Sequence, residues 1–437
     1  MGLPSRYGVW EAGRGSVLKY YLYKSTKAVE FYRPIMYLFF LAQGLDFTQI
    51  AIVEALYNLT TLFGEIPTGY IGDRVGRWTS LLIGTVLIAA TLLGIGLAES
   101  FLTLAVLCVC WSAGYNFRSG SEDAWLYDTL TDDLSEDEFA RVRGRGESAA
   151  LAVGAGAAVI GGYLGSIDLS YPWFVAAVTG IGAVVLLTLD EPGTYKETDT
   201  DVLSLRRTVG IVREALSRRT LRSFILYYYV LYAAVTYLVF VFLQPIFETI
   251  VVDLGVAPAQ VESLSGWFYA AYSLVGAVLS YYTGAIKEYV GVRTWFLALP
   301  FVVGAALVGM YFIPLLALPT FLFARGLSDV TRSFAGQYVN DRIGTLGRAT
   351  VLSAMAIVSG LAVVPFQLGS GVVSDIVPRC SHSPSRVGSS SSGPESSFSG
   401  KRRSLKGVSP TNSASDPAYC DQALHRVPRR LVVELRT

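Results

Sequence analysis

GYIGDRVGRW, residues 69–78, packs three glycines, one acid and two arginines into a link between two long apolar runs. The rest of the chain makes the cluster stand out. Of 437 residues, 52% are hydrophobic and only 16% are charged, a balance that excludes an ordinary soluble protein and fits a polytopic membrane protein. A bilayer core of ~30 Å takes about 20 apolar residues per helical span. About eleven such stretches are present: near 31–47, 50–71, 79–98, 101–121, 148–165, 173–189, 224–247, 264–284, 294–313, 314–333 and 349–373. Continuous apolar runs without strict alternation argue for helices rather than a β-barrel.

Charge sorts the links between these stretches. The N-terminal arm and links 72–78, 139–147, 190–222, 285–293 and 334–348 carry Lys or Arg, whereas 47–49, 99–100, 166–172, 248–263 and the junction near 313 carry none. The positive-inside rule places the first group, and the N-terminus, on the cytoplasmic side. The longest basic link, 191–222, divides six spans from five. Its Leu203, Leu205, Val209, Val212 and Leu216 are spaced like one helix face, as expected of a connector lying on the inner membrane surface. No signal peptide with a cleavage site is expected from the charged first thirty residues. Residues 1–378 contain no histidine, and the four cysteines have no metal-ligand spacing, so any titratable chemistry within the membrane falls to carboxylates.

The two parts of the chain echo each other. GYIGDRVGR at 69–77 returns as GAIKEYVGVR at 284–293, and RSGSE at 118–122 returns as RGLSD at 325–329. Two matches in topologically corresponding places are the mark of a duplicated membrane bundle.

The opening stretch resembles the signature loop between the second and third helices of the major facilitator superfamily (MFS), of form G-x-x-x-D-R-x-G-R, through Gly69, Asp73, Arg74, Gly76 and Arg77; Trp78 departs from the usual basic residue. The resemblance covers residues ~31–376 by span order and mid-chain link. It implies an all-α polytopic fold of two bundles that work by alternating access. The expected organisation is an arm at 1–30, a six-helix bundle at 31–190, a linker at 191–222 and a five-helix bundle at 223–376. It further implies that the acid at Asp73 caps the start of the eleventh helix and that Arg77 pairs with an acid at the inner end of the fourth, for which Asp128 is suited. Glycines 72 and 76 would let the backbone turn tightly between helices.

Charges inside a membrane should face the bundle interior and have partners. Arg118 with Glu122, and Arg325 with Asp329, are four apart on the fourth and tenth spans, with Arg332 a turn further on. Helices one, four, seven and ten line the cavity in the family, so these residues are candidates for its wall; structural ion pairs are the competing reading. Tyr232 and Tyr269 are candidates from the tyrosine-rich seventh and eighth spans, and Gln43 and Gln244 are weaker ones. Glu65, beside Pro67 in the second span, is the candidate for proton coupling, with a hydrogen-bonded structural role as the alternative. Glu54 and Asp46 read as acids near the outer surface. Drug exporters of the superfamily usually carry a Gly-Pro pair in the fifth helix, where this chain has Ala157 and Ala158, so the direction of transport stays open.

After about Ile376 the composition changes. Residues 379–437 hold ten Lys or Arg, four acids and both histidines in a Ser-rich segment that reads as disordered. It stands where the twelfth helix of the family belongs, and the expectation is that a shifted reading frame produced it, with a natural disordered extension as the alternative. The functional expectation is a non-enzymatic secondary transporter of the plasma membrane, a monomer without cofactor, metal or nucleic-acid partner, moving a small solute with protons. Efflux of drug-like compounds is the narrower expectation and an uptake permease its alternative. A non-transporting scaffold or sensor, or an inactive truncated product, is the alternative of another class.

Overall fold

The computed structural model describes residues 17–27, 30–130, 136–188, 219–340 and 348–376. All regular elements among them are helical. The second to sixth spans are Phe47–Val75, Arg77–Leu97, Phe101–Leu130, Glu136–Ile167 and Tyr171–Thr188. The seventh begins with Arg219–Phe224, runs through a π-helical segment, Ile225–Tyr232, and continues as Ala233–Asp253. The eighth to eleventh are Val261–Tyr281, Val292–Phe312, Ala317–Asn340 and Arg348–Ile376. Seven described helices are long and apolar enough to cross a membrane by length and composition: the third to seventh, the ninth and the eleventh. The first, second, eighth and tenth fall short of that measure because each carries polar or charged side chains or a break.

The duplication legible in the sequence is repeated in the backbone. The described glycines with positive φ fall into two pairs, Gly76 with Gly291 and Gly44 with Gly255. Gly76 (φ 90°, ψ 150°) and Gly291 (φ 75°, ψ 145°) end one helix and start the next in the same way. Each donates its N–H to the carbonyl four residues back and accepts from the N–H four residues ahead, as in Gly76 N to Gly72 O and Ser80 N to Gly76 O, both 2.9 Å. A side chain would be strained at that φ. Gly72 is not among the positive-φ positions, so the turn expected of two glycines is made by Gly76 alone. Gly44 and Gly255 close the first and seventh spans with matching patterns: Leu45 N bonds Phe40 O, and Val256 N bonds Val251 O. These i to i−5 bonds satisfy carbonyls that a helix end leaves open.

Small residues set the helix crossings. A Cβ on Gly162 of the fifth span would stand 2.5 Å from Glu262 O and 2.8 Å from Gly266 Cα of the eighth. Gly84 and Gly114 bring the third and fourth spans equally close, with a Cβ on Gly84 2.7 Å from Gly114 O. Such contact supplies the dispersion energy that associates helices in lipid. Thr61 Oγ1 and Ser112 Oγ, 2.7 Å apart, and Asn116 Nδ2, 3.1 Å from Thr60 O, tie the second span to the fourth. Trp173 is fully buried, stacked on Tyr32 with ring centroids 4.5 Å apart.

The two halves differ at one face. The third span has 56% of its residues buried and packs along the sixth, whereas its counterpart, the ninth, has 6% buried. Phe301, Val302, Tyr311 and Phe312 are exposed there. Beside it an apolar groove of about 380 Å³ runs between the seventh, ninth and tenth spans, and no described helix covers it as the sixth covers the third. The segment expected to replace a twelfth helix, residues 377–437, lies outside the described residues, as do the linker from 189 to 218 and its amphipathic face.

A charged cavity at a break in the first span

The first span differs most from its sequence reading. Residues 17–27 are helical and continuous with the bundle: Tyr20 and Tyr23 are buried against Leu81, Ala183 and Leu187. They do not form a separate arm. The span then breaks around Glu30 and resumes through a 3-10 turn, Arg33–Ile35, into Met36–Ala42. Lys24, Lys27 and Glu30 fall in the arm expected at 1–30, and Arg33 lies just inside the first apolar stretch, 31–47.

Pro34 has no N–H to give a helix. The carbonyls left open at the break are met from the other half of the chain. Ser265 Oγ of the eighth span donates to Pro34 O at 2.7 Å. Gln244 of the seventh span does more. Its Nε2 donates to Arg33 O at 2.8 Å, and its Oε1 accepts from Tyr37 N at 2.8 Å. Arg33 O and Tyr37 N are the i and i+4 groups that an α-helix would join directly. The side-chain amide of Gln244, 1% exposed, is thus inserted as a rung of the first span and also donates to Tyr269 Oη at 3.0 Å. At the same end of the bundle Phe47 packs on Phe242, and a Cβ on Gly371 of the eleventh span would meet Phe47 O at 2.7 Å. The halves therefore close on each other at the end that carries Gly44 and Gly255.

Away from that closed end lies a cavity of about 510 Å³, walled by the first, fifth, seventh, eighth and tenth spans. At the break, Arg33 grips Glu30 with both ends of its guanidinium, Nε to Oε2 at 2.8 Å and Nη2 to Oε1 at 3.0 Å. Both side chains remain partly exposed, at 49% and 40%, because they face the cavity rather than a packed neighbour. Lys24 and Lys27 line the wall further from the closed end. Across the cavity Arg325 lies over the Tyr272 ring, 5.7 Å from its centroid, with Nε 3.8 Å from Asp329. Gly276 makes room for its stem, since a Cβ there would come within 3.1 Å of Arg325 Cδ. Arg118 Nε is buried without a hydrogen-bond partner among the described residues.

Among the residues singled out in the sequence, Arg325, Tyr269 and Gln244 stand in the cavity wall. Tyr232 does not: it lines the apolar groove, its hydroxyl 3.5 Å from Ser328 Oγ. Arg332 is exposed, and Glu65 is exposed on the second span. Arg74 lies over Tyr70, 4.4 Å from the ring centroid, and Gly69 is open to its surroundings. The side chains of Asp73, Arg77, Glu122 and Asp128 lie outside the described residues, so the Asp73 cap and the Arg77–Asp128 pair are not visible. Asp46 caps the second span by accepting from Gln49 N at 2.7 Å. Glu54 is half-buried and accepts from Tyr37 Oη at 3.2 Å, so it belongs to the bundle interior rather than the outer surface.

A model of the Major Facilitator Superfamily matches residues 28–366, more than three quarters of the chain. The chain belongs to the Major Facilitator Superfamily. Among solved structures, the superfamily chain resembles the nucleoside transporter NupG with a TM-score of 0.70 at 12% identity, over 82% of this chain and 91% of the other. A bacterial homologue of the human lysosomal transporter Spinster, in an inward-facing and unoccupied conformation, gives 0.60 at 17% identity over 85% and 84%. A D-xylose-proton symporter gives 0.54 at 12% over 83% and 90%. At these identities the likeness is one of fold. The uncharacterized MFS-type transporter YxaM of Bacillus subtilis is 20% identical over 190 residues, 43% of this chain and about half the length of that relative, 47%. A superfamily fold with these apolar spans makes the protein a multi-pass membrane protein.

Proposed function

We propose that the protein is a secondary active transporter that binds a small solute in the Glu30–Arg33 cavity and carries it by alternating access, coupled to protons. The observation that carries this reading is a partly exposed ion pair held at a break in a membrane span, at the junction of two bundles. A charge of that kind is expensive in a membrane unless it serves a pathway. With the N-terminus in the cytoplasm, the end closed by Gln244 is the outer one, and the cavity belongs to an inward-facing state. Neighbours in fold include a proton symporter of D-xylose and a nucleoside transporter, which supports a solute-and-proton reading without fixing direction.

Two carboxylates compete for the coupling proton. Glu65 is the candidate from the sequence, though it is exposed rather than set among apolar groups, and Glu30 has the position in the cavity. The gate at the inner end is assigned to Asp73, Arg77 and Asp128 on the signature motif. The reading places the protein in the plasma membrane as a monomer.

The test is a solute panel applied to proteoliposomes that enclose a pH-sensitive dye. Solute-driven proton movement is expected for the wild type and its loss in Glu30→Gln or Glu65→Gln, whichever carries the proton. No proton movement with any solute, alongside solute exchange that is insensitive to pH, would remove the coupling. Accumulation or depletion in cells decides between efflux and uptake.

A further inference from the structure

Resting on the alternating-access reading, we infer that Glu54 is a proton site and that the proton it holds is linked to closure of the outer end. Glu54 stands about 10 Å along the second span from Phe47, where the two halves meet. Its neighbours Val53 and Tyr37 belong with Cys108 and Val241 to one buried apolar cluster, against which Tyr237 packs. The carboxyl accepts from Tyr37 Oη at 3.2 Å and makes no ion pair among the described residues. The titratable and charged groups near it are Arg33 and Tyr37 of the first span, Cys108 of the fourth and Tyr237 of the seventh, with Tyr57 on its own helix. Arg33 is the cation among them, and its Nε and Nη2 are both engaged by Glu30. An ionised carboxyl without its own cation is costly at membrane depth, and a bound proton removes that cost.

The groups across the junction need what a proton supplies. Gln367 of the eleventh span is fully buried, and neither its Oε1 nor its Nε2 has a hydrogen-bond partner among the described residues. The Tyr237 hydroxyl, near Glu54 and beside the Gln367 amide, is in hydrogen-bond geometry with neither. Native structures leave few buried polar atoms in that state, and each calls for a partner. A carboxylate only accepts hydrogen bonds, whereas the acid adds an O–H donor to a node that holds unmet acceptors. Tyr37 and Glu54 come from one half of the chain, Tyr237 and Gln367 from the other. The node is therefore assembled when the outer end closes and taken apart when it opens, and water then solvates the ionised Glu54. Tyr37 joins proton to gate, because its hydroxyl donates to Glu54 and its N–H donates to Gln244. Tyr37 also lines the inward cavity, which puts Glu54 one hydrogen bond from the solute pathway. The acid form belongs to the closed end and the ionised form to the open one. Lowering the pH thus closes the outer end and raising it opens it, by at most tenfold in the ratio of the two states per pH unit for one proton.

The test uses the full chain in lipid nanodiscs, freed of its native cysteines and spin-labelled at Glu99→Cys and Ala259→Cys, one on each half at the outer end. Pulsed electron resonance reads the separation from about pH 5 to about pH 9, and the infrared C=O band of a protonated carboxyl reads the proton itself. The ratio of open to closed populations should rise tenfold or more across that range in the labelled parent, and Glu54→Asp should retain the response. Glu54→Gln stays neutral and keeps a donor, so it should hold the short distance at every pH and lose the carboxyl band, with its unfolding midpoint confirming that it is folded. The inference is overturned if the parent does not respond to pH, if Glu54→Gln responds as the parent does, or if the carboxyl band survives unchanged in Glu54→Gln. Gln244→Leu separates this inference from the reading beneath it. A protein that ignores pH yet opens in Gln244→Leu loses the Glu54 proton and keeps alternating access; one that holds the short distance at every pH and in Gln244→Leu loses both.

Discussion

Replacing Gln244 by Leu should shift the protein away from the state described here. The side chain is 1% exposed and serves two backbone groups of the first span, Arg33 O and Tyr37 N. Leucine has similar volume and can serve neither. A buried polar group left unsatisfied costs about 1–3 kcal/mol, so the pair amounts to about 2–6 kcal/mol if the broken turn does not re-form its own bond. Because the contact joins the two halves, the loss falls on the state in which this end is closed. At 1.4 kcal/mol per tenfold, the equilibrium should move by about 30- to 20,000-fold toward the opposite state. Spin labels at Glu99→Cys and Ala259→Cys, one on each half at this end, report the separation by pulsed electron resonance in a background freed of the native cysteines. The variant should show a longer-distance population that the wild type lacks. An unchanged distance distribution together with an unchanged unfolding midpoint would refute the reasoning, because the rung would then carry no free energy.

Gly76→Ala and Gly291→Ala should each lower stability by about 1–2 kcal/mol in thermal unfolding, because both glycines hold positive φ at equivalent helix junctions. Gly162→Val should cost about 1–3 kcal/mol by overpacking the crossing of the fifth and eighth spans, where backbone atoms stand in the way of any side chain. Leu92→Ala in the buried third span should cost about 2–5 kcal/mol, whereas Phe301→Ala on the exposed ninth should change the midpoint by less than about 0.5 kcal/mol equivalent. Translation of the other forward frames from the codon of Ser370 onward should yield an apolar run of helix length, and appending that run should raise the unfolding midpoint by covering the ninth span.

The sequence made the large-scale order legible because the signals were redundant. Hydropathy, link charge and the doubled Gly76/Gly291 motif each gave the same division, and Gly76 and Gly291 share a positive φ in the backbone. The cavity was only half legible. Arg325 and Tyr269 lie inside spans that are apolar around them, so they stood out as anomalies. Glu30 was hidden by the same criterion, since with Lys24 and Lys27 it made residues 1–30 look like a solvated arm, and Arg33, just inside the first stretch, did not stand out beside them. A mixed charge cluster followed by a Pro, Arg33-Pro34, was the available signal of a broken span. Gln244 was legible only as a polar residue near a helix end, since its partners are main-chain atoms more than 200 residues away. Tyr232 was misleading because an aromatic ring is at home in a cavity and in a lipid-facing groove alike.

The most direct test of transport through this cavity needs no knowledge of the solute. Ser273 lines the wall, and Ser273→Cys in a background without the native cysteines places one thiol there. A membrane-impermeant thiol reagent is then applied to right-side-out and to inverted vesicles, with and without the Gln244→Leu substitution. The account predicts reaction from the cytoplasmic side alone when Gln244 is present, and a gain of reaction from the outer side with a matching loss from the inner when it is replaced. Reaction from both sides at once in a single conformation, or from neither side in either protein, would contradict alternating access through the Glu30–Arg33 cavity.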